Sequence, residues 1–164
     1  MAGPTIAPCL WFDDQAEEAA KFYVSIFPES KITKIAYYTR AGHEYHGRPE
    51  GSVLTVEFEL GGQPYTALNG GPMFTFTHAI SLQVYCDTQE EIDYYWERLG
   101  EGGDPGAKQC GWLKDRYGLS WQVVPAVMQD YMTDPDPEKR FRVTDAYLNM
   151  QKPVLAALRK AYAG

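Results

Sequence analysis

The side chains of this 164-residue chain that could do chemistry are few and widely spaced. The densest group lies between Cys110 and Pro125, in CGWLKDRYGLSWQVVP. Two short strands joined at Arg116-Tyr117-Gly118 are expected there, and Gly118 supplies the positive φ such a turn often needs. The second strand puts Ser120, Gln122 and Val124 on one face and Trp121 and Val123 on the other. A carboxamide among apolar neighbours, as at Gln122, can orient a ligand by hydrogen bonds. Trp11, Tyr65, Trp112 and Trp121 are the aromatic candidates for a pocket wall, since small-molecule sites set rings around a few convergent polar groups. Core packing between sheet and helix would use the same four residues. His43-Glu44-Tyr45-His46 has a spacing that serves metal binding or proton transfer on a helix. Between Gly42 and Gly47 it is expected on a surface loop instead. Cys110 would be a nucleophile only with a lowered pKa and a base beside it. No histidine adjoins it, so a buried structural thiol is expected. Asp115 and Arg116 are expected to form a solvated pair in the turn.

Composition narrows the partners. Fifteen basic against 22 acidic residues give a formal charge of −7. Nucleic acid and anionic membranes are therefore not expected as partners, because both need a basic surface. The three cysteines, Cys9, Cys86 and Cys110, are far apart and form no CxxC pair, which predicts reduced, buried thiols and a cytoplasmic protein. The N-terminal MAGPTIAPCLWF has no basic region ahead of its short apolar run, unlike a secretion signal.

The elements that must position these residues are legible as period and punctuation. Ile6 to Phe12 reads as a strand. Asp13 or Asp14 then reads as a helix cap, with Glu17 and Glu18 in the first turn and Ala16, Ala19, Ala20, Tyr23 and Phe27 as the apolar stripe, up to Pro28. Strands are expected at Lys31–Thr39, Ser52–Leu60 and Gln63–Asn69, the last two joined at Gly61-Gly62, and a polar loop at residues 40–51. After Gly70-Gly71-Pro72 the order returns. Ala79–Cys86 is a strand, and Asp87 or Thr88 caps a helix with the stripe Ile92, Tyr95, Trp96, Leu99. Lys108–Lys114 and Leu119–Val124 are strands. The two strand-to-helix joints share an Asp, a following x-Gln and acidic helix residues, a weak internal repeat. Helices are expected over Ala126–Met132, Asp136–Met150 and from Pro153 onward.

Phe12-Asp13 through Phe22-Tyr23 and Phe27-Pro28, Glu50-Gly51-Ser52 with Val56-Glu57-Phe58, Ala67-Leu68-Asn69-Gly70-Gly71-Pro72, Ile80-Ser81-Leu82, Thr88-Gln89-Glu90-Glu91 with Trp96, and Cys110-Gly111-Trp112 to Pro125 together resemble the PhnB-like branch of the vicinal oxygen chelate superfamily. That superfamily includes glyoxalases, bleomycin-resistance proteins and dioxygenases. Members of the branch carry the label 3-demethylubiquinone-9 3-methyltransferase. The resemblance implies an α+β fold of tandem βαβββ modules, at residues 5–72 and 78–125, with a helical extension at 126–164, all in one domain. It also implies a small-molecule ligand in a sheet cavity and a homodimer, the commonest closed oligomer. In metal-dependent relatives a divalent metal sits on the first and last strands of each module. The positions that correspond here are Ile6 or Ala7, with Cys9 close by, then Asn69, Ser81 or Ile80, and Gln122, with His78 just outside a strand. Binding without a metal and metal-dependent catalysis both remain open at this point. Methyl transfer has less support, because no glycine-rich turn follows the first strand, where Phe12-Asp13-Asp14-Gln15 stands instead.

Overall fold

The computed structural model describes residues 6–164. The expected module start at residue 5 lies outside them. The chain divides into two compact units, the first ending at Thr75 and the second running from Phe76 to Gly164.

The first unit contains β1 (Cys9–Phe12), α1 (Ala16–Ile26), β2 (Lys31–Tyr37), α2 (His43–His46), β3 (Val53–Leu60) and β4 (Gln63–Asn69). Its sheet runs β1-β4-β3-β2, with β1 parallel to β4 and the other pairs antiparallel. Alternation in β3 produces the layering: Val56, Phe58 and Leu60 are buried against α1, while Glu57 faces outward. The helix presents Ala16, Ala19, Ala20, Tyr23 and Ile26 to that face, and Tyr23 stacks on Phe58 at 6.3 Å between centroids. Three alanines on the stripe let the helix lie close to the sheet. The β3–β4 turn sets both Gly61 and Gly62 at positive φ, +54° and +83°, which suits a two-residue hairpin.

Two local expectations change. Neither Asp13 nor Asp14 caps α1. Gln15 occupies the cap position without a side-chain bond, and the Ala16 N–H instead donates to Asn69 Oδ1 at 2.8 Å, from the end of β4. The segment at His43–His46 coils into a single helical turn, because left-handed Gly42 and Gly47 bracket it.

The second unit contains β5 (Leu82–Cys86), α3 (Gln89–Gly100), a 3-10 turn at Pro105–Ala107, β6 (Trp112–Lys114), β7 (Ser120–Pro125), α4 (Met128–Thr133), α5 (Pro137–Leu148) and α6 (Leu155–Ala163). The order is β5-β7-β6, with β5 parallel to β7. The wiring repeats that of β1 and β4 with one strand fewer. Asp104-Pro105-Gly106 turns the chain early. Cys110 and Gly111 then take positive φ and fold Gln109 back on Trp112, with N–H···O bonds of 3.1 and 2.8 Å in the two directions. One bridge therefore stands where a second strand would run. Gly103 closes on the rest of that edge: a Cβ there would lie 2.0 Å from the Lys114 carbonyl oxygen.

Helices α4 to α6 build a core of Met128, Val143 and Leu158, with Tyr131 stacked on Tyr162 at 4.1 Å. They are tied to the rest of their unit by Gln89, which donates to Pro153 O and accepts from Leu155 N–H, and by N–H bonds from Cys110 to Met150 O and from Gly111 to Gln151 O. No helix among the described residues is long and apolar enough to cross a membrane.

Candidate functional site

The pleat of β5, β6 and β7 sorts its side chains into two faces. Leu113, Trp121, Val123 and Cys86 are buried on the face that meets α3. On the opposite face Gln83 stands across from Gln122, Gln122 across from Trp112, Tyr85 across from Val124, and Lys114 across from Ser120. Side chains directly opposite on neighbouring strands have Cβ atoms about 5 Å apart. Tyr85 is 49 % exposed, and Gln83 is exposed as well. The Val124 end is closed by the C-terminal helices, because Val124 packs against their core.

Four polar groups on this face form one chain of hydrogen bonds. The Tyr85 hydroxyl donates to Gln83 Oε1 at 2.8 Å. Gln83 Nε2 donates to Gln122 Oε1 at a long 3.4 Å, and Gln122 Nε2 donates to Ser81 Oγ at 2.7 Å. Trp112 flanks the amides as an indole wall. The result is an uncharged amide and hydroxyl array beside aromatic surface, able to orient a small molecule by hydrogen bonding and stacking. Trp112 and Gln122, both candidates from the sequence, are brought side by side as cross-strand partners. Tyr85 and Gln83 are new. Their signal was the alternation Ser81, Gln83, Tyr85 against Leu82, Val84, Cys86 inside a segment that reads as merely apolar.

Trp121 lies elsewhere. It is 2 % exposed and packed in the α3 core, and its indole N–H donates to Asp115 Oδ2 at 2.8 Å. Asp115 is not a solvated turn residue either, at 2 % exposure. Its other oxygen accepts the N–H groups of Tyr117 and Leu119 at 2.9 and 3.0 Å. A carboxylate can be buried here because three donors converge on it. Arg116 reaches Glu101, its Nε donating to the Glu101 carbonyl oxygen at 3.2 Å.

In the first unit Trp11 is held rather than free. Its N–H donates to Gly71 O at 2.8 Å, and it meets Phe74 edge-on at 5.0 Å. Gly70 admits the ring, since a Cβ there would lie 2.2 Å from it. Tyr65 stacks on Phe58 and lines a cleft of about 380 Å³ with Thr33, Lys34, Glu57 and Glu59. Partial burial raises its phenol above the usual value. Cys9 is exposed in β1, and the crowding of its thiol raises that pKa too, so it is no ready thiolate. Cys86, fully buried, is pushed up to about 12 by desolvation and then by the charges of Glu91 and Asp87. Cys110 is half-buried, its thiol near Leu148 O. His46 binds Ala41 O and the Arg48 N–H through its two ring nitrogens and packs on Tyr38 at 4.5 Å.

A divalent metal needs several histidines or carboxylates together. Among the described residues no three His, Cys, Asp or Glu side chains cluster in that way. Asn69 is 6 % exposed and joins elements: Oδ1 accepts from Ala16 N–H, Nδ2 donates to Val53 O at 3.1 Å, and its backbone carbonyl accepts from the Tyr38 hydroxyl at 2.6 Å. Gln122 is engaged in the amide chain, and His78 is exposed on the segment before β5. Asn69 belongs to the first unit, His78 and Gln122 to the second. This donor set does not fit a divalent metal.

Residues 4–124 match the protein family described as 3-demethylubiquinone-9 3-methyltransferase. A PhnB protein from Bacillus cereus with the same label is 38% identical, over 75% of this chain and 100% of that one, with a TM-score of 0.63. Protein PA1353 from Pseudomonas aeruginosa shares the fold at 17% identity, covering 75% and 98%, with a TM-score of 0.56. So does the fosfomycin resistance protein FosX from Listeria monocytogenes, solved with Mn(II) and sulfate, at 13% identity over 80% and 97%, with a TM-score of 0.53. No curated protein matches the chain.

Proposed function

The chain belongs to the 3-demethylubiquinone-9 3-methyltransferase family, on the PhnB-like branch of the vicinal oxygen chelate superfamily, and from that premise we propose that it binds a small organic molecule, aromatic ones among the candidates, in a sheet cavity of a cytoplasmic homodimer. The observation that carries this reading is the hydrogen-bonded face of Tyr85, Gln83, Gln122 and Ser81 beside Trp112. Polar side chains aligned across two strands and left partly exposed are costly to order, and a ligand that uses them recovers that cost. The test is a fragment screen read by melting temperature and tryptophan fluorescence. Aromatic fragments should raise the former and quench Trp112, with the quench lost in Trp112→Phe. A screen with no shift in either readout sinks the proposal. Sedimentation should show a dimer at micromolar concentration, and a monomer would remove the dimeric part.

The alternative, a divalent-metal-dependent enzyme of glyoxalase or dioxygenase type, draws its support from the Mn(II) of the Listeria relative. Elemental analysis after loading with divalent ions decides it: one equivalent per subunit, lost on changing Gln122 or His78, would restore it. Methyl transfer, which the family label suggests, predicts S-adenosylmethionine binding by calorimetry. We expect none, because the β1–α1 turn reads Asp13-Asp14-Gln15, without glycine.

A further inference from the structure

We propose that the ligand of the β5–β7–β6 face is an organic oxyanion, with its charged group at the Lys114–Ser120 end and its apolar body against Trp112. The inference rests on the binding reading above and names the ligand class of that same face.

Three observations converge on one end of the face. Lys114 forms no ion pair or hydrogen bond through its side chain among the described residues, although the chain carries 22 acidic groups. It is half-buried and stands directly across from Ser120. Ser120 is 0 % exposed, and its Oγ has no hydrogen-bond partner among the described residues. Buried hydroxyls are normally paired, and an orphan implies a missing partner. The third observation is the polarity of the amide chain. It runs donor to acceptor from Tyr85 through Gln83 and Gln122 to Ser81. Ser81 precedes Leu82, the partner of Trp121, so it comes level with Ser120. Its own O–H proton is therefore the free end of the chain. An oxygen that accepts a hydrogen bond becomes a stronger donor through its own proton.

The Lys114–Ser120 end thus collects an ammonium, the Ser81 hydroxyl, the Ser120 hydroxyl and the second N–H of the Gln122 amide, all of them donors. No carboxylate stands among the face positions Ser81, Gln83, Tyr85, Trp112, Lys114, Ser120, Gln122 and Val124. A donor array with one positive charge and no negative one selects a compact anionic acceptor, such as a carboxylate or a phosphonate. The lysine stem is flexible, so an anion drawn to the ammonium can bring it aside and give the Ser120 hydroxyl its acceptor. Two residues along β6, on the same face, Trp112 offers the apolar surface for the rest of the molecule.

The probes are benzoate, phenylphosphonate and the uncharged benzamide, titrated into the full-length protein. Binding is read from the Trp112 indole and Gln122 side-chain amide signals by NMR and from calorimetry. Both anions should shift these signals and bind at least tenfold tighter than benzamide, with affinity falling as salt rises. The tighter of the two anions distinguishes a planar from a tetrahedral head. Lys114→Met keeps the stem and should bring benzoate within twofold of benzamide. Ser120→Ala should leave the melting temperature unchanged or higher while weakening benzoate severalfold, a pairing that a purely structural serine would not show. Equal affinity for benzoate and benzamide overturns the oxyanion inference and leaves the binding face intact. If none of the three probes moves the Trp112 or Gln122 signals, the inference and the binding reading at this face both fail.

Discussion

The two sheets share their wiring and differ in how each joint is secured. In both, the first strand lies parallel to the last and a helix covers one face. The first unit turns its hairpin on two glycines at positive φ and ties the start of its helix to Asn69 on a distant strand. The second turns its hairpin on a buried carboxylate and caps its helix locally with Thr88 and Glu91. The outward faces differ as well. In the first, β2 and β3 are laced by the exposed ion pairs Lys31–Glu59 and Lys34–Glu57. In the second, the face carries a neutral amide chain and Lys114, whose side chain has no partner among the described residues. Exposed ion pairs add little stability and already satisfy one another, whereas unpaired donors leave valence for a partner. The same topology thus yields one face that is electrostatically closed and one that is chemically open.

The hairpins give the largest predicted contrast. Asp115→Ala leaves three N–H donors without an acceptor, two of them in fully buried bonds. At 1–3 kcal/mol for each orphaned group, the loss is about 5 kcal/mol. Gly61→Ala in the corresponding turn meets open space and bears only the left-handed backbone penalty, about 1 kcal/mol. Urea denaturation should rank the two variants in that order. Equal losses would mean that the carboxylate does not organise its turn.

Alkaline pH separates the units next. Burial raises Cys86 from 9.0 to about 12, and Tyr147 from 10.0 to about 12 with help from Cys110. Both lie in the second unit. Below pH 9 each is protonated whether the chain is folded or unfolded, so stability does not depend on them. Above pH 9 the unfolded chain releases protons that the native state holds. Stability then falls until the folded values are passed near pH 12, by about 4 kcal/mol for Cys86 alone. Urea midpoints measured from pH 8 to pH 11 should drop, and Cys86→Ala should flatten the slope. An unchanged slope would show that the thiol is not desolvated in the native state.

How far the sequence discloses this arrangement depends on where each cause sits along the chain. The strand alternation of Val53–Leu60, the Gly61-Gly62 turn and the Thr88 cap are local, and all are legible from residue type and spacing. The α+β class and the family follow from segments spread over residues 4–124. The cap of α1 is not local. It comes from Asn69, 53 residues away, and nothing near Asp13 signals that the aspartates are passed over. Asp115 reads as a surface turn residue because its three donors become neighbours only when the hairpin closes. The strand missing from the second sheet is hidden for a similar reason. Residues 108–111 have strand-like neighbours, yet Cys110 takes a positive φ that its side chain does not announce. Among the candidates, the face that Gln122 occupies follows from period two. Trp121 is sent to the opposite face by that same period.

The smallest contrast tests whether a remote cap differs from a local one. Thr88 forms a capping box, accepting the Glu91 N–H at 3.1 Å while Glu91 returns to the Thr88 N–H at 3.2 Å. Thr88→Ala removes one exposed cap bond and should cost about 1 kcal/mol. Water can reach the freed N–H there. Asn69→Ala frees the buried Ala16 N–H and the Val53 carbonyl together, so it should cost about 2 kcal/mol. It also releases β4 from both β3 and α1, and hydrogen exchange should quicken at Ala16 and along β4. The Thr88 variant should quicken exchange only in the first turn of α3. If the two variants lose equal stability and fray equally locally, then Asn69 is a cap like any other. If Asn69→Ala loosens the whole β1–β4 pairing, the carboxamide at the end of β4 is a structural joint between strand and helix.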